Sequence, residues 1–136
     1  MTDVHEFLKY VVEHKGSDLH VKAGGPPSVR ISGMLAPTAF PKMSSSDCLA
    51  AAVEIMNDKQ KEVLDSAGEV DFAYSEPGTG RFRVNVYSQR GSIGIAARLV
   101  LPGAPSFGSL GLPPAVEALA NEHRGLLLIT GPTSSG

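Results

Sequence analysis

The sequence is poor in cysteine and contains no long hydrophobic segment. Its single cysteine, Cys48, cannot form an internal disulfide, which excludes disulfide-stapled secreted domains and is typical of a reducing compartment. The longest apolar run, 125–130, is far shorter than the roughly 20 residues of a membrane-spanning helix. The first residues are acidic and lack the basic and apolar regions of a secretory signal. These absences predict a cytoplasmic protein that does not insert into a membrane.

The sequence also lacks an excess of charge of either sign. A formal net charge of -2 argues against a protein that coats nucleic acid through bulk positive charge. Hydrophobic residues make up 42% and charged residues 19%, which is the mixture of a folded globular protein. With 136 residues the chain has room for one ordinary domain but not for two complete ones. We therefore expect one principal domain and no nucleic-acid partner.

Apolar periodicity predicts a mixed α/β (α+β) domain over residues 1–100. Three stretches have helical spacing: 2–14, 44–56 and 58–67. Five stretches alternate apolar and polar residues, as half-buried strands do: 18–23, 29–31, 70–74, 82–86 and 93–99. In the second helix we expect the stripe of Leu49, Val53 and Met56 to face the core. The interpretation is an antiparallel sheet with helices on one face.

The composition changes after residue 100. Residues 101–112 are rich in proline and glycine, which is typical of a linker, and two prolines then open a short helix in 113–136. The run 126–130 is apolar on both faces, as in a parallel strand buried between helices. Nothing else in the sequence is available to pair with this strand. The segment 113–136 therefore predicts the opening of a second domain.

The last six residues have the spacing of the first part of a phosphate-binding loop. Gly131 and Gly136 follow the apolar run in a Gly-x-x-x-x-Gly pattern, in which backbone N–H groups can converge on a phosphate. The lysine and the Mg²⁺-binding hydroxyl of a complete loop would come after Gly136. A glycine- and serine-rich turn is the alternative interpretation of the same residues.

A second candidate site consists of arginines on the polar faces of two strands. If Ser88 pairs with Ile93 across the hairpin, Arg83 lies opposite Arg98, and a register shifted by two residues places Arg81 there instead. Like charges that face each other across strands destabilise a sheet by a few tenths to about 1 kcal/mol. An anion between these side chains would remove that cost, so the pattern predicts an anion-binding surface.

Arg30 lies on the polar face of another strand and is a further candidate for this surface. The alternative interpretation is that the arginines pair with nearby carboxylates, for which Glu69, Asp71 and Glu76 are available. No metal site is predicted, because His20 and Asp18 share a strand face without a third ligand at a recognisable spacing.

Several short blocks, in this order, resemble a known family. They are Ser17–Val21, Gly25–Pro27 with Arg30, Ile55–Gln60, Asp71–Phe72, Gly80–Asn85, Arg124–Leu126 and Thr130–Gly136. Together they are similar to the N-terminal part of PilT-like type IV pilus retraction ATPases, the twitching-motility members of the type II/IV secretion ATPase superfamily.

The resemblance implies a PAS-like N-terminal domain, a linker and a RecA-like ATPase domain that begins at 113 and is cut within its P-loop. It implies ATP and Mg²⁺ as cofactors of the full-length protein, with the Mg²⁺ ligand beyond the last residue. Arg81, Arg83 and Arg98 match the arginines that reach the phosphates. The matching positions of the phosphate loop are Gly131, Thr133, Ser134, Ser135 and Gly136.

The resemblance further implies a homohexamer in the cytoplasm, at the inner-membrane face of the pilus machine, in contact with the inner-membrane platform protein. Because the remaining catalytic motifs would follow the last residue, we expect residues 1–136 alone not to hydrolyse ATP. Two other functions remain open. One is an extension or secretion motor of the same superfamily, and the other is a stand-alone PAS-like sensor whose arginines bind an acidic or phosphorylated partner.

Overall fold

The computed structural model describes residues 3–132, and the chain divides into two compact units, Met1–Leu101 and Pro102–Gly136. The described helices are α1 (Val4–Glu13), α2 (Ser45–Ile55), α3 (Asp58–Ala67) and, in the second unit, α4 (Pro114–Ala120). The described strands are β1 (Gly16–Val21), β2 (Ser28–Ile31), β3 (Met34–Pro37), β4 (Glu69–Glu76), β5 (Gly80–Gln89) and β6 (Ser92–Val100). Within 3–132 no helix has the length and apolar character needed to cross a membrane.

The six strands form one antiparallel sheet in the order β3-β2-β1-β6-β5-β4. The mixed α/β prediction, with an antiparallel sheet, is confirmed. Pairing of β1 with β6 brings the start and the end of the first unit together at the centre of the sheet. The edge strand β3 was missed because it is exposed along its whole length and its sequence does not alternate. The tight turn at Ser32 and Gly33, both with positive φ, folds it back onto β2.

One face of the sheet is buried and the other is open. The buried side chains of the strands alternate with polar ones and pack with those of α1, α2 and α3 in a single core. The inward-facing strand residues include Leu19, Val21, Val29, Val70, Phe82, Val84, Val86, Ile95 and Ala97. Because successive strand residues point to opposite faces, the charged residues that alternate with this set, Asp18, Arg30, Arg83 and Arg98 among them, are placed on the open face.

The predicted starts of α2 and α3 are confirmed by their capping interactions. Ser44 and Asp47 form a reciprocal capping box at α2, and Asn57 and Gln60 form another at α3. Gly68 ends α3 in the left-handed conformation, in which glycine has no Cβ penalty.

Of the predicted stripe of α2, Met56 is buried, but the prediction is wrong for the other two residues. Leu49 and Val53 are 48% and 41% exposed. The buried residues are Cys48, Ala51, Ala52 and Ile55. The first three are small and let α2 pack closely against β6, and this packing leaves the larger Leu49 and Val53 side chains on the outer face of the helix. Cys48 is fully buried and its pKa is raised by that burial, in agreement with a packing role.

In the second unit the predicted short helix is observed as α4, but the strand predicted over 126–130 is not. These residues have no regular secondary structure, and Leu126 and Ile129 are 84% and 86% exposed. A strand needs a neighbouring strand to satisfy its backbone N–H and C=O groups. Within residues 102–132 no strand is present to provide one.

Candidate functional site: an arginine row on the open face of the sheet

A row of side chains crosses all six strands on the open face. Each residue lies opposite the next: Ala73, Arg83, Arg98, Asp18, Arg30 and Leu35, from β4 to β3. We call the four charged members, Arg83, Arg98, Asp18 and Arg30, the arginine row. Of the two registers considered from the sequence, the one with Ser88 opposite Ile93 is observed, and it places Arg83 rather than Arg81 opposite Arg98.

Asp18 joins two of the three arginines. Its Oδ1 accepts a 2.8 Å hydrogen bond from Nε of Arg98, and its Oδ2 lies 3.5 Å from Nε of Arg30. Ser17 Oγ donates a 2.7 Å hydrogen bond to Oδ2. Burial opposes ionisation of this carboxyl, but the bonds from Ser17 and Arg98 and the two guanidinium charges outweigh it and lower its pKa. Asp18 is therefore a carboxylate at neutral pH.

Arg83 is the least constrained member of the arginine row. Among residues 3–132 its guanidinium has no hydrogen bond and no ion pair, and its side chain is exposed. Arg81 is likewise exposed and without an ion pair in the described part of the chain, but it lies opposite Val100, outside the row. In the described part of the chain, neither Arg81 nor Arg83 forms an ion pair with a carboxylate that the sequence offered as a partner, namely Glu69, Asp71 or Glu76.

The arginine row borders an open depression of about 330 Å³. Besides the row, its lining includes His20, Asp71 and Asn85. Burial lowers the pKa of His20; the Asp18 charge opposes this, and the Arg30 and Arg98 charges add to it, so the imidazole is neutral at pH 7. The depression thus has more positive than negative charge and opens to solvent, an arrangement suited to an anion with several oxygens.

The carboxylate Glu76 takes part in a different cluster, around His5. His5 Nδ1 donates to Glu76 Oε2 at 2.6 Å, and its Nε2 lies 3.4 Å from Glu54 Oε1. The hydrogen bond with Glu76 raises the pKa of His5 against an opposing effect of burial. Burial and Glu76 also raise the pKa of Tyr74 to about 12. In the same cluster, Asp3, His5 and Glu54 place atoms that could bind a metal within 4.8 Å of one another. No sequence pattern indicated this cluster.

Known proteins of similar sequence and similar fold include type IV pilus ATPases. The crystal structure of the pilus retraction motor PilT with bound ADP matches all of this chain with a TM-score of 0.83 and 40% identity, over 40% of the PilT chain. The chain carries the PilT-like N-terminal fold. The type IV pilus retraction ATPase PilT of Pseudomonas aeruginosa is 34% identical over 134 residues, 98% of this chain. The type IV pilus ATPase PilU of that species is 33% identical over the same length.

The match to these PilT-like proteins is confined to one part of them. The chain spans 39% of the length of the P. aeruginosa PilT and 35% of PilU. No protein-family model matches the chain.

The phosphate-loop residues are only partly within the described structure. Gly131 is exposed in a segment without regular secondary structure, whereas Thr133, Ser134, Ser135 and Gly136 lie outside the described residues. Their role in this PilT-like chain stays a prediction.

The structure adds Asp18 to the arginines that were predicted to share a surface. Alternation along 18–23 placed Asp18 and His20 on a polar face, and that signal was available from the sequence. The position of β1 beside β6 was not, because no local pattern specifies which distant strands pair. Arg30, Arg83 and Arg98 are brought together around one depression, and Arg81 borders an adjacent one with Val100.

Proposed function

We propose that this chain is the N-terminal region of a motor ATPase that retracts type IV pili, and that its open sheet face contributes arginines to the nucleotide site. The observation that carries the proposal is Arg83 directly opposite Arg98, with no carboxylate paired to Arg83 among residues 3–132. Two positive side chains that lie opposite each other on neighbouring strands destabilise the sheet unless an anion binds between them. The similarity to ATPases, one of them solved with ADP, makes a nucleotide phosphate the fitting anion.

In this proposal Arg81, Arg83 and Arg98 stabilise the negative charge that develops on the phosphates during transfer, and Arg30 supports binding. Guanidinium groups suit this task because they are always charged and present several N–H donors in a fixed plane. An arginine that contacts the transferred phosphate can contribute a factor of about 10³ to 10⁵ in rate.

The remaining parts of the site are also proposals. Residues 131–136 would supply backbone N–H groups to the phosphates, and the ligands of Mg²⁺ would come from residues after 136. The motor would work as a homohexamer in the cytoplasm, against the platform protein at the inner membrane. Mg²⁺ bound there would neutralise phosphate charge, while this chain's arginines orient the phosphates.

The biochemical test is ATP hydrolysis by the complete gene product. We expect turnover in the wild type and at least a tenfold lower turnover number for Arg98→Ala, because one charge-assisted contact to phosphate is lost. The matched control is Lys22→Ala, which removes an exposed cation from the end of β1. Equal turnover in wild type and Arg98→Ala would contradict the arginine role.

The cellular test separates a retraction motor from an assembly motor. Deletion of the gene should abolish twitching while pili remain on the cell surface, because extension continues without retraction. The wild-type gene should restore twitching, and the Arg98→Ala gene should not. Loss of surface pili on deletion would instead identify an extension motor.

A further inference from the structure

A buried carboxylate lies at the centre of the arginine row. Asp18 is 8% exposed, although arginines lie opposite it on both neighbouring strands, β6 and β2. Both arginines approach it through Nε, the guanidinium nitrogen closest to the aliphatic stem. The terminal nitrogens Nη1 and Nη2 of Arg98 have no partner among residues 3–132. Asp18 therefore holds Nε of Arg98 and leaves Nη1 and Nη2 available to a ligand.

The geometry of Asp18 is itself well determined. Ser17 Oγ donates to Oδ2, which leaves Oδ1 to accept from Arg98. The strand pairing on both sides of β1 fixes the backbone from which the carboxylate projects. Arg98 has no such restraint of its own, since its side chain is 74% exposed and its bond to Asp18 is its one hydrogen bond among residues 3–132. A free arginine side chain samples many rotamers, which must be restricted before it can hold a phosphate.

We propose that Asp18 is a positioning residue, which acts through Arg98 Nε to direct the terminal nitrogens of Arg98 toward the phosphates. This inference rests on the proposed function, because it assigns Asp18 a task at the same site. Preorganised donors stabilise a developing charge without reorienting at the moment of reaction. Asp18 touches no phosphate in this arrangement.

The proposal predicts opposite effects on binding and on turnover. Asp18→Asn removes a negative charge, so the face becomes more attractive to an anion, while Arg98 loses its orientation. In the complete gene product we expect the turnover number to fall about tenfold, the scale of one charge-assisted hydrogen bond, and KM for ATP to stay unchanged or to decrease. Asp18→Glu keeps a carboxylate and should recover part of the turnover. The matched control is Glu69→Gln, which also removes one negative charge from the open face of the sheet, but from β4 rather than β1. This variant should leave turnover unchanged.

A double-mutant cycle tests whether Asp18 acts through Arg98. In an Arg98→Ala background, Asp18→Asn should cause no further loss of turnover, since its effect is transmitted by the missing side chain. Losses that multiply would overturn the proposal, as would an unchanged turnover number in Asp18→Asn. If Arg98→Ala itself is fully active, the proposed function fails, and this outcome is separate from the behaviour of Asp18.

A second measurement applies even if Asp18→Asn does not fold. The Nε–Hε resonance of Arg98 can be followed by NMR in the wild-type chain. A hydrogen bond to a buried carboxylate should make its exchange with water at least tenfold slower than that of Arg83 Nε–Hε, which has no partner among the described residues. Equal exchange rates for the two arginines would overturn the proposal.

Discussion

Replacement of Arg83 by alanine in the complete gene product tests the electrostatic role of the open face. Arg83 forms no ion pair and no hydrogen bond among residues 3–132, so its removal leaves no described group unpaired and should not destabilise the fold. The loss should therefore be confined to the contact that we propose between Arg83 and a nucleotide phosphate.

The size of the effect follows from the type of contact. A hydrogen bond that involves a charged group contributes about 1.5–3 kcal/mol. Each 1.36 kcal/mol in the barrier is a factor of ten, so the turnover number should fall roughly 10- to 150-fold. Arg83→Lys keeps the charge but loses the planar fork, and we expect an intermediate loss.

The assay is steady-state ATP hydrolysis over a range of ATP concentrations, with nucleotide binding measured separately. We expect binding to persist in Arg83→Ala, because the other phosphate contacts remain. Lys22→Ala, which removes an exposed cation just beyond the end of β1, controls for net charge. If Arg83→Ala turns over at the wild-type rate, Arg83 has no role in the reaction and the reasoning is refuted.

Three further predictions concern the chain itself. Val84→Ala, at a fully buried position of β5, should lower the free energy of unfolding by about 2 kcal/mol and the melting temperature by about 10 °C, whereas the exposed Val100→Ala should change both little. His5 has a raised pKa, so its contribution to stability should be complete below pH 6.5 and disappear as the pH rises through the folded-state value. Urea unfolding of wild type and His5→Gln at several pH values should show that difference shrinking, and a constant difference would contradict the assigned ion pair. Residues 1–136 should bind ATP weakly, because they lack the loop lysine, and a micromolar dissociation constant by calorimetry would contradict this.

Much of the fold was predictable because it depends on local patterns. Alternation of apolar and polar residues identified five strands and helical spacing identified three helices of the first unit, since periodicity acts over a few residues. The short hairpin between β5 and β6 limited the residue opposite Arg98 to Arg81 or Arg83, and the register in the structure is the one with Arg83. Helical spacing did not predict which face of α2 is buried, because tertiary packing selects that face. Leu49 and Val53 are exposed because the small face of α2 fits the sheet more closely.

Strand alternation is a local property, so the sequence alone shows that Asp18 and Arg98 lie on the polar faces of their strands. Only the tertiary structure decided that these two residues meet. Asp18 and Arg98 are separated by 80 positions along the chain, and their contact exists because β1 inserts between β6 and β2. That strand order depends on how the apolar faces of all the strands and helices pack together, which no short stretch of sequence records.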